Sequence, residues 1–227
     1  MLSATELTLS YGPQTVLDGV SLTIDGETRA GLVGANGSGK TSLLRILAGN
    51  EDAESGKVIV ARNSVVEYLP QRNTVPLETT VYNYAEYGFS REAELIAHRN
   101  EAAERLISDP EHQGDLQLVS EADHHLEETG YYRRQEQIGR VLDGLGFRVE
   151  DHHRPLGEFS GGWRMRAALA KSLLTRPDVL LLDEPTNYLD SEARLWLGTF
   201  LRNFSGGFVI VSHDRAFLDE TVETVLE

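Results

Sequence analysis

The chain has 227 residues, and 21 Lys+Arg against 36 Asp+Glu give it a formal net charge of −15. At 40% apolar residues it can build a core, and the absence of cysteine excludes a disulfide framework, thiol catalysis and cysteine-ligated zinc. No apolar run approaches the roughly 18 residues of a membrane span, no basic stretch followed by an apolar one opens the chain, and the acidic balance argues against sequence-independent nucleic-acid binding by the surface as a whole.

About the first 65 residues read as strands joined by turns. Val16 to Ile24 is an apolar stretch broken by Asp18-Gly19, and Thr28 to Val33 is a short strand running into a glycine-rich turn. Thr41 to Leu47, with Leu43, Leu44, Ile46 and Leu47, reads as a buried helix. Lys57 to Val60 and Ser64 to Leu69 read as two strands around a turn at Ala61-Arg62-Asn63. Between Arg91 and Leu126 the composition becomes helical and polar, interrupted by a turn-forming stretch from Ser108 to Asp115, which predicts a helical hairpin. Trp163 to Leu174 reads as a helix. Val179 to Leu182 and Phe208 to Val211 lack polar alternation, as strands of a parallel sheet do. Strands alternating with helices around a glycine-rich loop predict a parallel α/β core.

The chemistry is anchored by Gly34-Ala35-Asn36-Gly37-Ser38-Gly39-Lys40-Thr41. A strand, then Gly-x-x-x-x-Gly-Lys-Thr, then a helix is the phosphate-binding P-loop pattern. Its glycines let backbone N–H groups turn toward phosphates, and the helix N-terminus adds partial positive charge. Lys40 is expected to reach the β- and γ-phosphates and the Thr41 hydroxyl to bind Mg²⁺, with Ser42 completing the nucleotide-binding set. The apolar run Val179–Leu182 delivers Asp183 as a second Mg²⁺ ligand, and Glu184, one residue on, is placed to take a proton from an attacking water. Together the two elements specify a P-loop nucleoside triphosphatase.

Three further patterns narrow the family. Phe159-Ser160-Gly161-Gly162-Trp163 resembles the signature of ATP-binding cassette (ABC) ATPases, Leu69-Pro70-Gln71 their glutamine loop, and Val211-Ser212-His213-Asp214 their switch-histidine loop, in the family's order. Tyr11, 23 residues before Gly34, stands where these ATPases place an aromatic that stacks on adenine. The resemblance implies that Gln71 contributes to the Mg²⁺ and water shell, that His213 contacts the γ-phosphate, and that Tyr11 packs on the base. It also implies that Ser160, Gly161, Gly162 and Trp163 act on the ATP of a second cassette, with Leu189-Asp190 in the loop across that interface. The chain then holds two half-sites and needs a head-to-tail partner. The implied fold has an ABC core over 1–80 and 156–227, including an N-terminal antiparallel β subdomain, and a helical subdomain over 81–155.

Within the family, Trp163-Arg164-Met165-Arg166, Asp183-Glu184-Pro185-Thr186-Asn187-Tyr188-Leu189-Asp190 and Ser212-His213-Asp214-Arg215 resemble ABC-F proteins, most closely their first cassette. That resemblance implies a cytoplasmic twin-cassette ATPase without transmembrane domains, acting on the ribosome and its RNA during translation, and an arm inserted where the helical hairpin lies. The ATPase subunit of a membrane transporter is the alternative, disfavoured by Trp163 and by the 89 residues separating Gln71 from Ser160. A DNA-directed ATPase is less favoured still. Two features depart from the pattern. Residues 92–128 carry 11 acids and two arginines, whereas an arm gripping RNA should be basic. The sequence also stops at Glu227 with no second cassette, as an excised domain of a longer protein would. The adjacent pairs His124-His125 and His152-His153 do not share a helix face, and no metal site is expected of them.

Overall fold

The computed structural model describes all 227 residues. Eight strands, β1 (Leu2–Tyr11), β2 (Gln14–Ile24), β3 (Arg29–Leu32), β4 (Ser55–Val60), β5 (Val66–Leu69), β6 (Val179–Asp183), β7 (Gly207–Val211) and β8 (Thr224–Leu226), form two sheets. Eight α-helices accompany them: α1 (Lys40–Leu47), α2 (Val81–Glu86), α3 (Ser90–Ser108), α4 (Gln113–Glu128), α5 (Arg134–Gly144), α6 (Gly161–Leu174), α7 (Ser191–Arg202) and α8 (Arg215–Thr221). The first sheet is antiparallel, in the order β2-β1-β4, and the second is parallel throughout, in the order β5-β6-β7-β3-β8.

The two strands expected on either side of Ala61–Asn63 do flank a turn, closed by the Ser64 N–H donating to the Ala61 carbonyl with Asn63 at φ 67°. They do not pair with each other. β4 runs beside β1, Leu2 opposite Val60, whereas β5 joins the parallel sheet, Val66 opposite Val179. The turn therefore passes the chain from one sheet to the other.

Period-2 geometry explains why the central strands read as unbroken apolar runs. Val179, Leu181, Val209 and Val211 enter one core cluster with Leu43, Leu44 and Leu47 of α1 and the inner face of the antiparallel sheet. Leu180, Leu182, Phe208 and Ile210 enter a second, larger cluster with α6, α7 and the helices of the middle region. Every residue of β6 and β7 is buried. The carboxyl ends of β3, β5, β6 and β7 all open on one edge of the parallel sheet, where ligands of open α/β sheets bind.

The hairpin expected between Arg91 and Leu126 consists of α3, 19 residues, and α4, 16 residues, joined by a turn narrower than the sequence suggested. His112 caps α4, its Nδ1 accepting from the Asp115 N–H at 3.2 Å. Ala102, Ala122 and Leu126 are buried between or beneath the helices, and Arg99–Asp123 and Arg105–Asp115 cross from one to the other at 3.0 and 2.6 Å. His152 and His153 instead lie beside the Tyr82 ring. No helix is long and apolar enough to cross a membrane.

Candidate nucleotide site

A cleft of about 620 Å³ lies at that sheet edge, lined by Tyr11, Asn36, Gly37, Gly39, Lys40, Thr41, Ser42, Gln71, Asp183, Glu184 and His213. Eleven residues singled out in the sequence thus converge on one cavity. Gln14, Val16 and Val211 also line it. Gln14 and Val16 belong to no motif and are placed by β1 turning into β2, whereas Val211 opens the His213 loop at the end of β7.

The loop between β3 and α1 owes its shape to left-handed backbone at Gly39, φ 93°, where a Cβ would sit 2.8 Å from the Val16 carbonyl oxygen. The Lys40 ammonium donates to the carbonyls of Gly34 and Ala35, both at 2.9 Å. Gly34 and Ser38 occupy the other side of the same loop, in a neighbouring cavity of about 470 Å³. At the start of α1 the Thr41 hydroxyl donates to Asp183 Oδ2 at 2.8 Å, and the Tyr68 hydroxyl faces the same oxygen at 3.5 Å. Burial and the Asp183 charge push the Tyr68 phenol up to about 12, so it remains a neutral donor. A hydroxyl and a carboxylate beside Gln71 are hard oxygen donors, and this set fits Mg²⁺, which takes one or two protein oxygens and keeps waters and phosphate oxygens for the rest.

Glu184 is 5% exposed and holds a left-handed backbone, φ 54°, uncommon for a non-glycine residue. Its N–H donates to the Val211 carbonyl at 2.9 Å, tying the ends of β6 and β7 together. Oε2 accepts from the His213 N–H at 3.3 Å. Oε1 lies 3.3 Å from His213 Nε2 without hydrogen-bond alignment and has no other partner. Burial pushes this carboxyl above its ordinary value, against an opposing pull from His213. An underused carboxylate of raised basicity, facing a cleft, can accept a proton.

Tyr11 is 52% exposed, and its hydroxyl bonds Ser42 Oγ at 3.0 Å and Glu51 at 2.5 Å. These bonds fix the ring at the rim of the cleft beside α1, an anchor that no motif signals.

Ser160, Gly161, Gly162 and Trp163 do not line this cleft. Ser160 is the N-cap of α6 without a side-chain bond, and Ser160 and Gly161 are exposed, so the first turn of α6 presents its N–H groups outward. Leu189 is buried, and Asp190 caps α7 by accepting from the Ala193 N–H at 3.0 Å. That bond first, and Arg166 after it, hold the Asp190 carboxyl below the usual range. Arg166, the last residue of the Trp163–Arg166 motif, is buried and bonds outside its own helix. Its guanidinium donates to the Tyr188 carbonyl at 2.7 Å and the Leu145 carbonyl at 3.0 Å and pairs with Asp190 at 3.0 Å.

Residues 17–187 match the family described as ABC transporter, and the chain belongs to that family of ATP-binding cassettes. It is 39% identical over 229 residues to ABC transporter F family member 5 of Arabidopsis thaliana, covering 96% of this chain and 32% of the plant protein. It is 40% identical over 231 residues to the tylosin resistance ATP-binding protein TlrC of Streptomyces fradiae, covering 100% of this chain and 42% of that protein. Such relatives are consistent with a cassette of ABC-F type. The chain spans only 32% to 42% of the length of these relatives. A solved dimer of an ATP-binding cassette bound to ADP and Pi superposes with a TM-score of 0.68 at 20% identity, covering 100% of this chain and 94% of the other, and shares the fold.

Proposed function

We propose that the chain is the first, ATP-hydrolysing cassette of a cytoplasmic ABC-F protein that closes head-to-tail on a second cassette and acts on the ribosome in translation. The observation that carries the reading is the convergence of Lys40, Thr41, Gln71, Asp183, Glu184 and His213 on one cleft at the carboxyl edge of the parallel sheet. In this reading residues 1–80 and 156–227 form the nucleotide-binding core, and 81–155 form the helical subdomain with its inserted hairpin.

Lys40 leaves the Gly34 and Ala35 carbonyls for the β- and γ-phosphates, while the N–H groups of residues 36–42 cradle them. Thr41, Asp183 and Gln71 hold Mg²⁺, which when bound neutralises phosphate charge. Glu184 takes the proton of the attacking water, its Oε1 becoming reachable as the His213 ring that now covers it turns to the γ-phosphate. His213 contacts the γ-phosphate from the position where its N–H now steadies Glu184. Tyr11, held by Ser42 and Glu51, offers its ring to adenine. The outward first turn of α6 meets the nucleotide of the partner cassette, and Leu189-Asp190 face that partner. Closure and opening are the output, and the hairpin rides on the subdomain that moves.

The test uses the full natural protein with Glu184→Gln, sedimented with ribosomes and separately with membranes, with and without ATP. ATP-dependent co-sedimentation with ribosomes is expected. Partition to membranes, with none on ribosomes, would reassign the chain to the ATPase subunit of a transporter.

A further inference from the structure

The signature turn carries a tryptophan whose surroundings point to a role outside the nucleotide cleft. We propose that Trp163 is a positioning residue: by covering Arg166 it locks the signature turn, the loop leaving Glu184 and the end of α5 into one block.

Arg166 is the centre of that block. Its side chain is 9% exposed, and it reaches three residues in two segments: Tyr188 and Asp190 in the loop after Glu184, and Leu145 just past α5. The Trp163 ring lies over the guanidinium, 4.4 Å away, and is itself wedged against Phe147 at 5.0 Å and Phe159 at 6.4 Å. The chain makes room for the pair at Gly146. There φ is +88°, and a Cβ would fall 2.9 Å from Arg166 Nη1 and 3.6 Å from the indole. Gly162, beside Trp163, packs equally tightly on Tyr188, where a Cβ would lie 3.3 Å from the ring.

A guanidinium bonding two carbonyls keeps its directionality only if water does not compete for its donors. An indole face supplies that cover and adds cation–π attraction. A glutamine at position 163 could do neither. The loop tied down by Arg166 starts at Glu184 itself, through the tight turn Pro185–Tyr188. The Leu145 end belongs to the helical subdomain, where Phe147 and Leu145 join the α2–α5–α6 core. A displacement at Glu184 therefore reaches the signature turn and the hairpin-bearing subdomain as one rigid movement. Neither Trp163 nor Arg166 lines the nucleotide cleft of its own cassette, so the device bears on turnover more than on capture of nucleotide there.

The proposal rests on the reading of the signature turn as acting across a cassette interface, and its test separates the two. Trp163→Gln, Trp163→Phe and Arg166→Lys are compared in the full natural protein. Readouts are kcat and KM for ATP, affinity for a fluorescent ATP analogue, and amide hydrogen exchange across 145–147 and 185–190. For Trp163→Gln we expect kcat to fall about ten- to a hundredfold, as small misplacements of a catalytic constellation do, with KM and analogue affinity changing far less than kcat. Exchange should rise in both 145–147 and 185–190, and Trp163→Phe should restore much of each. Arg166→Lys, which keeps the charge and the indole, should loosen the same two segments, and carries the test should Trp163→Gln not fold. Faster exchange confined to the first turn of α6, or a fall in analogue affinity in step with kcat, overturns the proposal. A wild-type protein without ATPase activity defeats the functional reading alone, because the exchange pattern still decides for or against the block.

Discussion

Glu184 combines three features that each cost stability: burial of a carboxylate, a left-handed backbone, and an oxygen without a hydrogen-bond partner. Burial raises its folded-state value above the ordinary one. A carboxyl raised on folding destabilises the native state once pH exceeds the raised value, and the cost disappears as pH falls below the unfolded value. Glu184→Gln, which keeps an acceptor for the His213 N–H, should therefore melt at a higher temperature than wild type at neutral pH. The gap should close as pH falls through the raised value into the ordinary carboxylate range. The same shift moves the acidic limb of the kcat/KM profile, which reports the free enzyme, upward from the pH where an exposed glutamate would place it. Thermal melts and rates across that range test both signs, and equal melting temperatures at neutral pH would show that Glu184 stores no such cost. Lys40 differs in kind. Its ammonium spends its bonds on two carbonyls of its own loop, so Lys40→Ala should leave the fold intact while abolishing tight ATP binding, read by equilibrium dialysis. Retained binding would sink the P-loop assignment.

At the scale of elements, what could be read from sequence was whatever one chemistry dictates locally. The P-loop, the strand ending in Asp183-Glu184 and the hairpin from 90 to 128 carry their own periodicity or motif. The path of β4 and β5 does not, because two short apolar strands around a turn look alike whether they pair with each other or with distant partners. β1 is obscured for another reason. Glu6 takes φ 52° and the pairing with β2 shifts register between Ala4 and Leu7, so the alternation along Leu2–Tyr11 breaks in the middle. Arg166 carried part of the family motif, but its structural role was not legible, since a helical arginine is usually solvated and only the fold brings Leu145 and Tyr188 to it. The hairpin shows the opposite, a legible element with an unread lock at its tip. Asp115 is nearly buried, and the hydrogen bonds from Arg105 hold its carboxyl below the usual range. A lowered carboxyl contributes stability above its unfolded value and loses it as pH falls through the folded one. Protection of the 105–116 amides should hold at neutral pH and drop only once pH falls below the ordinary aspartate range. Asp115→Asn should lose that protection already at neutral pH, with nucleotide affinity untouched. Equal protection in both proteins would leave the lock without effect.

At the scale of the molecule, charge separates ways of meeting a ribosome. Net −15 is spread over the chain, but residues 92–128 concentrate 11 acids against two arginines. Those arginines are committed: Arg99 is bidentate on Asp123, and Arg105 bonds Asp115. The stretch therefore has no unpaired lysine or arginine to neutralise a phosphate, although a hairpin helix of 19 residues projects about 28 Å at the helical rise. An arm that grips RNA releases counterions, and its affinity falls steeply with salt, by about 10³ to 10⁵ between roughly 50 and 200 mM for six to ten phosphate contacts. This hairpin cannot follow that law. If it approaches RNA, added salt screens repulsion and binding holds or improves; if it meets a basic protein surface, its ion pairs are screened by salt without the counterion release that makes the RNA law steep, and the decline is shallower. On the proposed ribosome reading, we therefore expect any ATP-dependent association that the hairpin of the Glu184→Gln protein makes to depend only weakly on salt over that range, measured by sedimentation at a series of KCl concentrations. Replacing Glu101, Glu104, Glu111 and Glu121 together by glutamine should flatten whatever slope remains. A steep slope, unaltered by those replacements, would place the contact on a basic surface outside residues 92–128 and leave the acidic hairpin as a rider on the moving subdomain.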